Sequence, residues 1–284
     1  MIGELASFSN AILNALGGTL GGKSTQISGW RTTLRGSSSM AMVIISIVLL
    51  ANLEVIALRV VLIGVAAGLI GGLGLPLMYK AFAIGSVSFV APVATLVQTF
   101  NLILFAVIVE NDRLSIAFPI AAALGVAGIF ACSRTSATGA GASFHAFLLS
   151  ALAACFFTGF SFFMTLIENN EIVPALFGVR IGVLLISIVF SPRRVSKLDK
   201  ENGEVAPKGW LKYALLSGAC EMLANLTFMV AIANLELSKV GIIMASGPAL
   251  ATIIGIKLMG QKPLLINWLG IAATSAALMI IAVA

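Results

Sequence analysis

The chain has 284 residues, 60% of them apolar and only 10% charged, with a mean hydropathy of +1.09. An ordinary soluble domain carries about 25% charged residues, and too little polar surface exists here to cover so apolar a mass in water, so composition excludes a soluble globular protein and points to a polytopic membrane protein. The net charge of +6 and the pI near 9.5 belong to basic loops at a membrane surface; with no soluble domain to bind it, nucleic acid is not an expected partner.

A helix crosses a bilayer with roughly 17 to 25 apolar residues, and the first such segment, 4–23, is the weakest. It carries Glu4, Asn10 and Asn14, and five glycines by residue 22. It also contains Gly17-Gly18-Thr19-Leu20-Gly21-Gly22-Lys23-Ser24, which fits the phosphate-loop pattern G-x-x-x-x-G-K-[ST]. That pattern cradles phosphate only where a strand feeds the loop and a helix leaves it. Here the preceding residues belong to a hydrophobic segment, and no alternation of strands and helices follows. The reading is therefore small residues for close helix packing, followed by an interfacial Lys23. No Lys or Arg precedes Lys23, so the positive n-region of a cleavable signal peptide is missing.

Spans are expected next at 34–54 and 57–79. Trp30 marks a membrane end, as Trp210 and Trp268 do further on, and Gly64, Gly68 and Gly72 have small-xxx-small spacing, as do Gly178 and Gly182. Tyr79 and Lys80, at the end of the third span, either line the mouth of a cavity or snorkel to the interface. The fourth span, 86–109, holds Pro92, Gln98 and Asn101; Pro92, with Pro248 later, is expected to kink its helix and free carbonyls toward a cavity. Gln98, Asn101 and Asn14 are read either as interhelical hydrogen bonds or as groups lining a substrate pathway.

A fifth span at 115–133 is followed by a loop and by spans at 144–167 and 173–191, the latter holding Arg180. The loop 192–208, "PRRVSKLDKENGEVAPK", is the most basic. In the next span, 209–233, Glu221 lies about 12 residues beyond Gly209, roughly 18 Å deep in a ~30 Å core. Ser217 and Asn225, four residues before and after, share its helical face. A carboxylate at that depth is expensive unless paired or hydrated, so this face is either a substrate-cavity wall, with Glu221 as proton or cation site, or a polar clamp between helices. Arg180 falls at equal depth and can meet Glu221, as a fixed structural pair or as part of a mechanism. Spans at 238–259 and 264–284 complete ten.

Lys and Arg fall very unevenly. Thirteen of the 17 lie in loops on one side, against Arg59, Arg113 and Lys239 on the other and Arg180 within a span. The positive-inside rule makes loop 192–208 cytoplasmic and the C-terminus external. Cys132, Cys155 and Cys220 are scattered and His145 is the single histidine, so neither a disulfide framework nor a metal site is legible, and no cofactor is expected.

The halves show a faint internal repeat. A shift of 149–150 residues lays Gly29-Trp30-Arg31 over Gly178-Val179-Arg180, and Ala81, Ala83, Ser88, Val90 and Leu114 over Ala231, Ala233, Ser238, Val240 and Leu264. The expected fold is an all-α polytopic membrane protein of ten transmembrane helices built as two inverted five-helix repeats, 1–134 and 144–284, joined by a junction loop at 135–143. An odd number of spans per half inverts one half relative to the other, and secondary carriers of this plan hold substrate near the midplane.

The stretches "YKAFAIGSVSFVAPVATLVQTFNLILFAVIVENDRLS" and "FMVAIANLELSKVGIIMASGPALATIIGIKLMGQKPLLINWLGIAA" resemble the two copies of the EamA-type repeat of the drug/metabolite transporter superfamily. Arg31 and Arg180, near the start of the second helix of each half, fit that pattern. The resemblance implies a ten-helix carrier of small metabolites, frequently an exporter, with both termini in the cytoplasm and a bacterial cell (inner) membrane as its location. The sequence departs from the pattern where the family commonly has Glu before the last helix, since Gln261-Lys262-Pro263 stands there, and the charge count disagrees with the family on the C-terminus. The expected function is secondary transport, by alternating access, of a small polar or amphipathic metabolite such as an amino acid. Its expected partners are the lipid bilayer and a possible coupling proton or cation. The alternatives are a proton-coupled multidrug or organic-cation exporter and a non-transporting scaffold. A membrane enzyme is disfavoured by the lack of a catalytic constellation. The expected pathway residues are Glu221, Asn225, Arg180, Gln98, Asn101, Asn14 and Tyr79.

Overall fold

The computed structural model describes residues 2–52, 57–109, 117–132, 143–164, 166–168, 171–190, 209–235, 240, 243–244 and 246–283. Among them are ten helices and no strand: α1 (Ile2–Ser28), α2 (Trp30–Asn52), α3 (Leu58–Ile84), α4 (Val87–Val109), α5 (Ala117–Cys132), α6 (Phe144–Met164), α7 (Ile172–Val189), α8 (Trp210–Asn234), α9 (Gly247–Met259) and α10 (Leu265–Val283). By length and composition, α2, α3, α6, α7 and α8 each contain a run able to cross a membrane, and apolar stretches of α4, α5, α9 and α10 are shorter. The chain is an all-helical polytopic membrane protein, the form in which backbone polar groups at depth can find partners within their own helices.

The weak first segment is a 27-residue helix, and Gly17–Ser24 lies wholly inside it, so no phosphate loop exists. Its glycines serve packing. A Cβ at Gly21 would overlap the Tyr79 ring, and one at Gly18 or Gly22 would press on Phe82. The helix stops at Gly29, whose φ of 81° is open to glycine at little steric penalty, and α2 starts directly after it.

Close glycine seams join the helices. Added Cβ atoms at Gly64 and Gly68 of α3 would collide with the carbonyl oxygens of Ala175 and Val179 in α7, and Cβ atoms at Gly178 and Gly182 would collide with those of Val61 and Val65. Gly218 of α8 meets the Ser37 carbonyl of α2 in the same way. Small residues let membrane helices approach until dispersion and weak backbone contacts hold them together, since lipid offers no hydrophobic drive between helices.

The pairing between the first five helices and the last five is reciprocal. The first helix of each set packs on the third of the other, α1 on α8 and α6 on α3. Second helices pack on opposite third helices, α2 on α8 and α7 on α3; α1 reaches α9 as α6 reaches α4, and α5 packs on α10.

One end of the bundle is stitched by polar groups. Gln26 Nε2 donates to the Ala83 carbonyl at 3.1 Å, Ser24 Oγ to that of Trp210 at 3.2 Å, and the Val87 amide to Gln261 Oε1 at 2.9 Å. Asn267 Nδ2 donates to the Cys132 carbonyl at 3.1 Å. Trp30 meets Phe190 edge-on and carries Lys80 Nζ 4.5 Å above its ring. These residues flank the connections to which the charge count gives the basic side. Loop 192–208, Arg134 and most of 135–143 lie outside the described residues.

Candidate substrate cavity

A cavity of about 330 Å³ opens between the two sets of helices. Asn14 of α1, Tyr79 of α3, Gln98 of α4, Arg180 of α7, and Glu221 and Asn225 of α8 all line it. Six of the seven residues expected in a substrate pathway therefore share one space. Asn101 stands apart: its amide donates to Cys155 Sγ at 3.4 Å, because three further residues along α4 carry it past the cavity that Gln98 faces.

Glu221 is held at one corner. The Tyr79 hydroxyl donates to its Oε1, and Ser217 Oγ donates to the same oxygen at 3.4 Å. Tyr79 is 1% exposed, and its hydroxyl also lies 2.9 Å from Ser37 Oγ and 3.3 Å from Ser217 Oγ. Ser217 Oγ lies 2.8 Å from the Gly17 carbonyl oxygen. The expectation that Tyr79 sits at a cavity mouth or snorkels is corrected. The third helix continues to Ile84, because Lys80 can settle over Trp30 instead of ending it, and Tyr79 is thereby drawn inside.

Arg180 is 3% exposed, eight residues into α7. Its Nε lies 3.2 Å from Met222 Sδ. The rest of the guanidinium has no hydrogen-bond acceptor among the described residues, and it forms no ion pair with Glu221, although both line the cavity. The fixed pairing considered from sequence is not formed. Arg180 reaches α8 at Met222, the residue after Glu221, and the two charges attract each other across the common space without a direct ion-pair contact. Arg31 occupies a different setting: it is exposed at the start of α2, its guanidinium carbon 5.2 Å from the Trp30 ring centroid.

Apolar residues make the remaining walls, with Phe82, Phe157, Phe160 and Phe228 supplying aromatic rings and Met244 and Gly247 closing one side. Pro92 lies inside α4, but the kink expected at Pro248 is corrected: Pro248 occupies the first turn of α9, where its missing N–H is no loss. The helical run ahead of it breaks at Ser246. Such a break at membrane depth is tolerated where it borders a cavity, as Met244 and Gly247 do.

Asn10 and Ser37 were not singled out as pathway residues from sequence. Asn10 Nδ2 donates to the Ala224 carbonyl at 2.7 Å, and Asn14 Nδ2 donates to Asn10 Oδ1 at 3.0 Å. The i+4 spacing of these asparagines was legible; the partner helix was not. Ser37 is one of many hydroxyls that can return to their own backbone, and nothing local marks it as the neighbour of Tyr79.

Comparison with known proteins agrees with this architecture. Residues 145–283 match the EamA-like transporter family. The matched family is one of membrane transporters of the drug/metabolite type, and residues 145–283 are similar to it. A solved crystal structure of a protein is similar over 98% of this chain and 95% of its own, at 16% identity and a TM-score of 0.63, a likeness of fold. No curated protein matches. The transporter match and the apolar helices together support an integral membrane protein.

Proposed function

We propose that the chain is a secondary transporter that exports a small polar or amphipathic metabolite, such as an amino acid, by alternating access of two inverted halves, 1–134 and 144–284. The observation that carries the reading is the central cavity, walled by helices of both halves, in which an acidic and a basic side chain stand without pairing with each other. An intramembrane charge is expensive and is retained where it meets water, cargo or a coupling ion. The reciprocal packing supports the inverted plan, since each half places its first and second helices on the third helix of the other. The reading of a carrier rather than an enzyme rests on the transporter match, and the bacterial inner membrane is its proposed location.

In a second reading the protein is a proton-coupled exporter of organic cations, favoured by the Glu221 carboxylate within a cavity that also holds aromatic rings. Uptake and efflux in proteoliposomes, with and without a proton gradient, against a panel of amino acids and lipophilic cations, separates the two. Gradient-driven amino-acid flux is the expected result. Flux of cations alone selects the second reading, and no flux of either class overturns both.

A further inference from the structure

We infer that Arg180 seats a carboxylate of the cargo, and that the Glu221–Tyr79 corner seats an ammonium group of the same molecule, so that the cavity is built for an α-amino acid with an apolar side chain. This deepens the transport reading and rests on it.

A guanidinium is always ionised and presents five donors in a planar fork. Here only Nε is engaged, by the weak acceptor Met222 Sδ, in a side chain 3% exposed that lines the cavity. Beyond the attraction of Glu221 across the cavity, the rest of this buried fork has no acceptor among the described residues, a costly state for a charge, and a carboxylate bound to two parallel N–H groups matches its free side in charge and shape. A phosphate is matched less well, because among the described residues the lining holds no second Lys or Arg; Lys80 lies over Trp30.

Glu221 poses the complementary problem. Its Oε1 takes the Tyr79 and Ser217 hydroxyls, and Oε2 has no donor among the described residues, leaving an acceptor of negative charge toward the space. A zwitterion answers both charges at once. A simple organic cation leaves Arg180 unanswered, and a dicarboxylate meets Glu221 with like charge. Phe82, Phe157, Phe160 and Phe228 offer an apolar wall for the rest of the molecule, the arrangement of a few polar anchors in a greasy pocket that fixes small ligands.

The test is binding to the purified full chain in lipid nanodiscs, by calorimetry, with three probes: L-phenylalanine, 2-phenylethylamine, which lacks the carboxylate, and 3-phenylpropionate, which lacks the amine. Phenylalanine is expected to bind at least about tenfold more tightly than either half-molecule, the scale of one charge-assisted hydrogen bond. Arg180→Gln is expected to weaken phenylalanine and phenylpropionate by about tenfold or more while leaving phenylethylamine unchanged; Glu221→Gln is expected to do the reverse for the amines. Should Arg180→Gln not fold, Arg180→Lys keeps the charge without the fork and is expected to weaken only the two carboxylates. Phenylethylamine binding as tightly as phenylalanine, or equal affinities in the wild type and the Arg180 variant for all three, overturns the inference. Binding in the expected order with no flux of phenylalanine overturns the transport reading and leaves the site standing; flux of other cargo with none of the three bound does the opposite.

Discussion

Glu221 has the hydroxyls of Tyr79 and Ser217 beside one oxygen, and although no direct ion pair ties it to Arg180 the two charges attract each other across the cavity, so substitutions at the two are expected to be coupled. Glu221→Gln keeps the shape and an acceptor for Tyr79, and should give inserted, folded protein that has lost transport or its dependence on pH. Neutralising either charge leaves the other without its electrostatic partner, so the loss in the double variant Glu221→Gln/Arg180→Gln is expected to be smaller than the sum of the two single losses. Thermal unfolding of the four proteins in detergent decides, and strictly additive losses would show that the two charges do not act on each other. Tyr79→Phe should lower stability by about 1–3 kcal/mol, because Ser37 and Glu221 lose a buried partner together. A midpoint equal to that of the wild type would remove the hydroxyl from the network. Glu221 and Arg180 stood out in the sequence because a charge inside an apolar run is expensive unless paired or hydrated, though a polar clamp between helices would explain it as well as a cavity wall. Tyr79 was placed too near the edge, because hydropathy falls at Lys80 whereas the helix does not end there.

At the scale of helices, the seam between α3 and α7 is the most exacting element. Gly68→Ala would drive a methyl into the Val179 carbonyl, a backbone atom that cannot swing away, and is expected to cost about 1–3 kcal/mol or to leave the protein misassembled. Gly247→Ala, with nothing near its Cβ position, is the control that should chromatograph as wild type. Equal behaviour of the two variants would show that the seam is looser than the helices imply. All ten helices were legible from apolar runs, and the small-xxx-small spacing announced close packing without naming partners. Spacing records which face of a helix is small; only assembly records what that face touches, and so the glycines of "GGTLGGKS" could be recognised as packing residues without Tyr79 and Phe82 as their neighbours. The break before Pro248 was not legible, because Pro248 lies in an unbroken apolar run, where a kink and a helix start read alike.

For the molecule as a whole, sidedness is the open consequence of charge. The polar stitches gather the flanks of the basic connections at one end of the bundle, and positive-inside assigns that end to the cytoplasm. A cysteine introduced by Glu201→Cys, in a protein with Cys132, Cys155 and Cys220 replaced, should react with a membrane-impermeant maleimide only after lysis. Labelling of intact cells would reverse the orientation. Under the proposed symmetry, one pair of matching glycine contacts suggests a different equivalence from the one drawn from sequence. Gly218 faces the Ser37 carbonyl as Gly68 faces that of Val179. The third helices therefore correspond at an offset of 150 residues, as the sequence shift has it, and the second helices at 142. That equivalence would pair Ser38 with Arg180, where the sequence shift pairs Arg31, and a superposition of 1–134 on 144–284 decides between them. The reciprocal packing has a further consequence for biosynthesis. Asn10 completes its buried hydrogen bond on Ala224, which leaves the ribosome 214 residues later, roughly 10–40 s at 5–20 residues per second. For that interval α1 sits in or near the bilayer with its amide and glycine face uncovered, so the nascent first half depends on the insertion machinery, or on lipid headgroups, to shield what α8 will later bury.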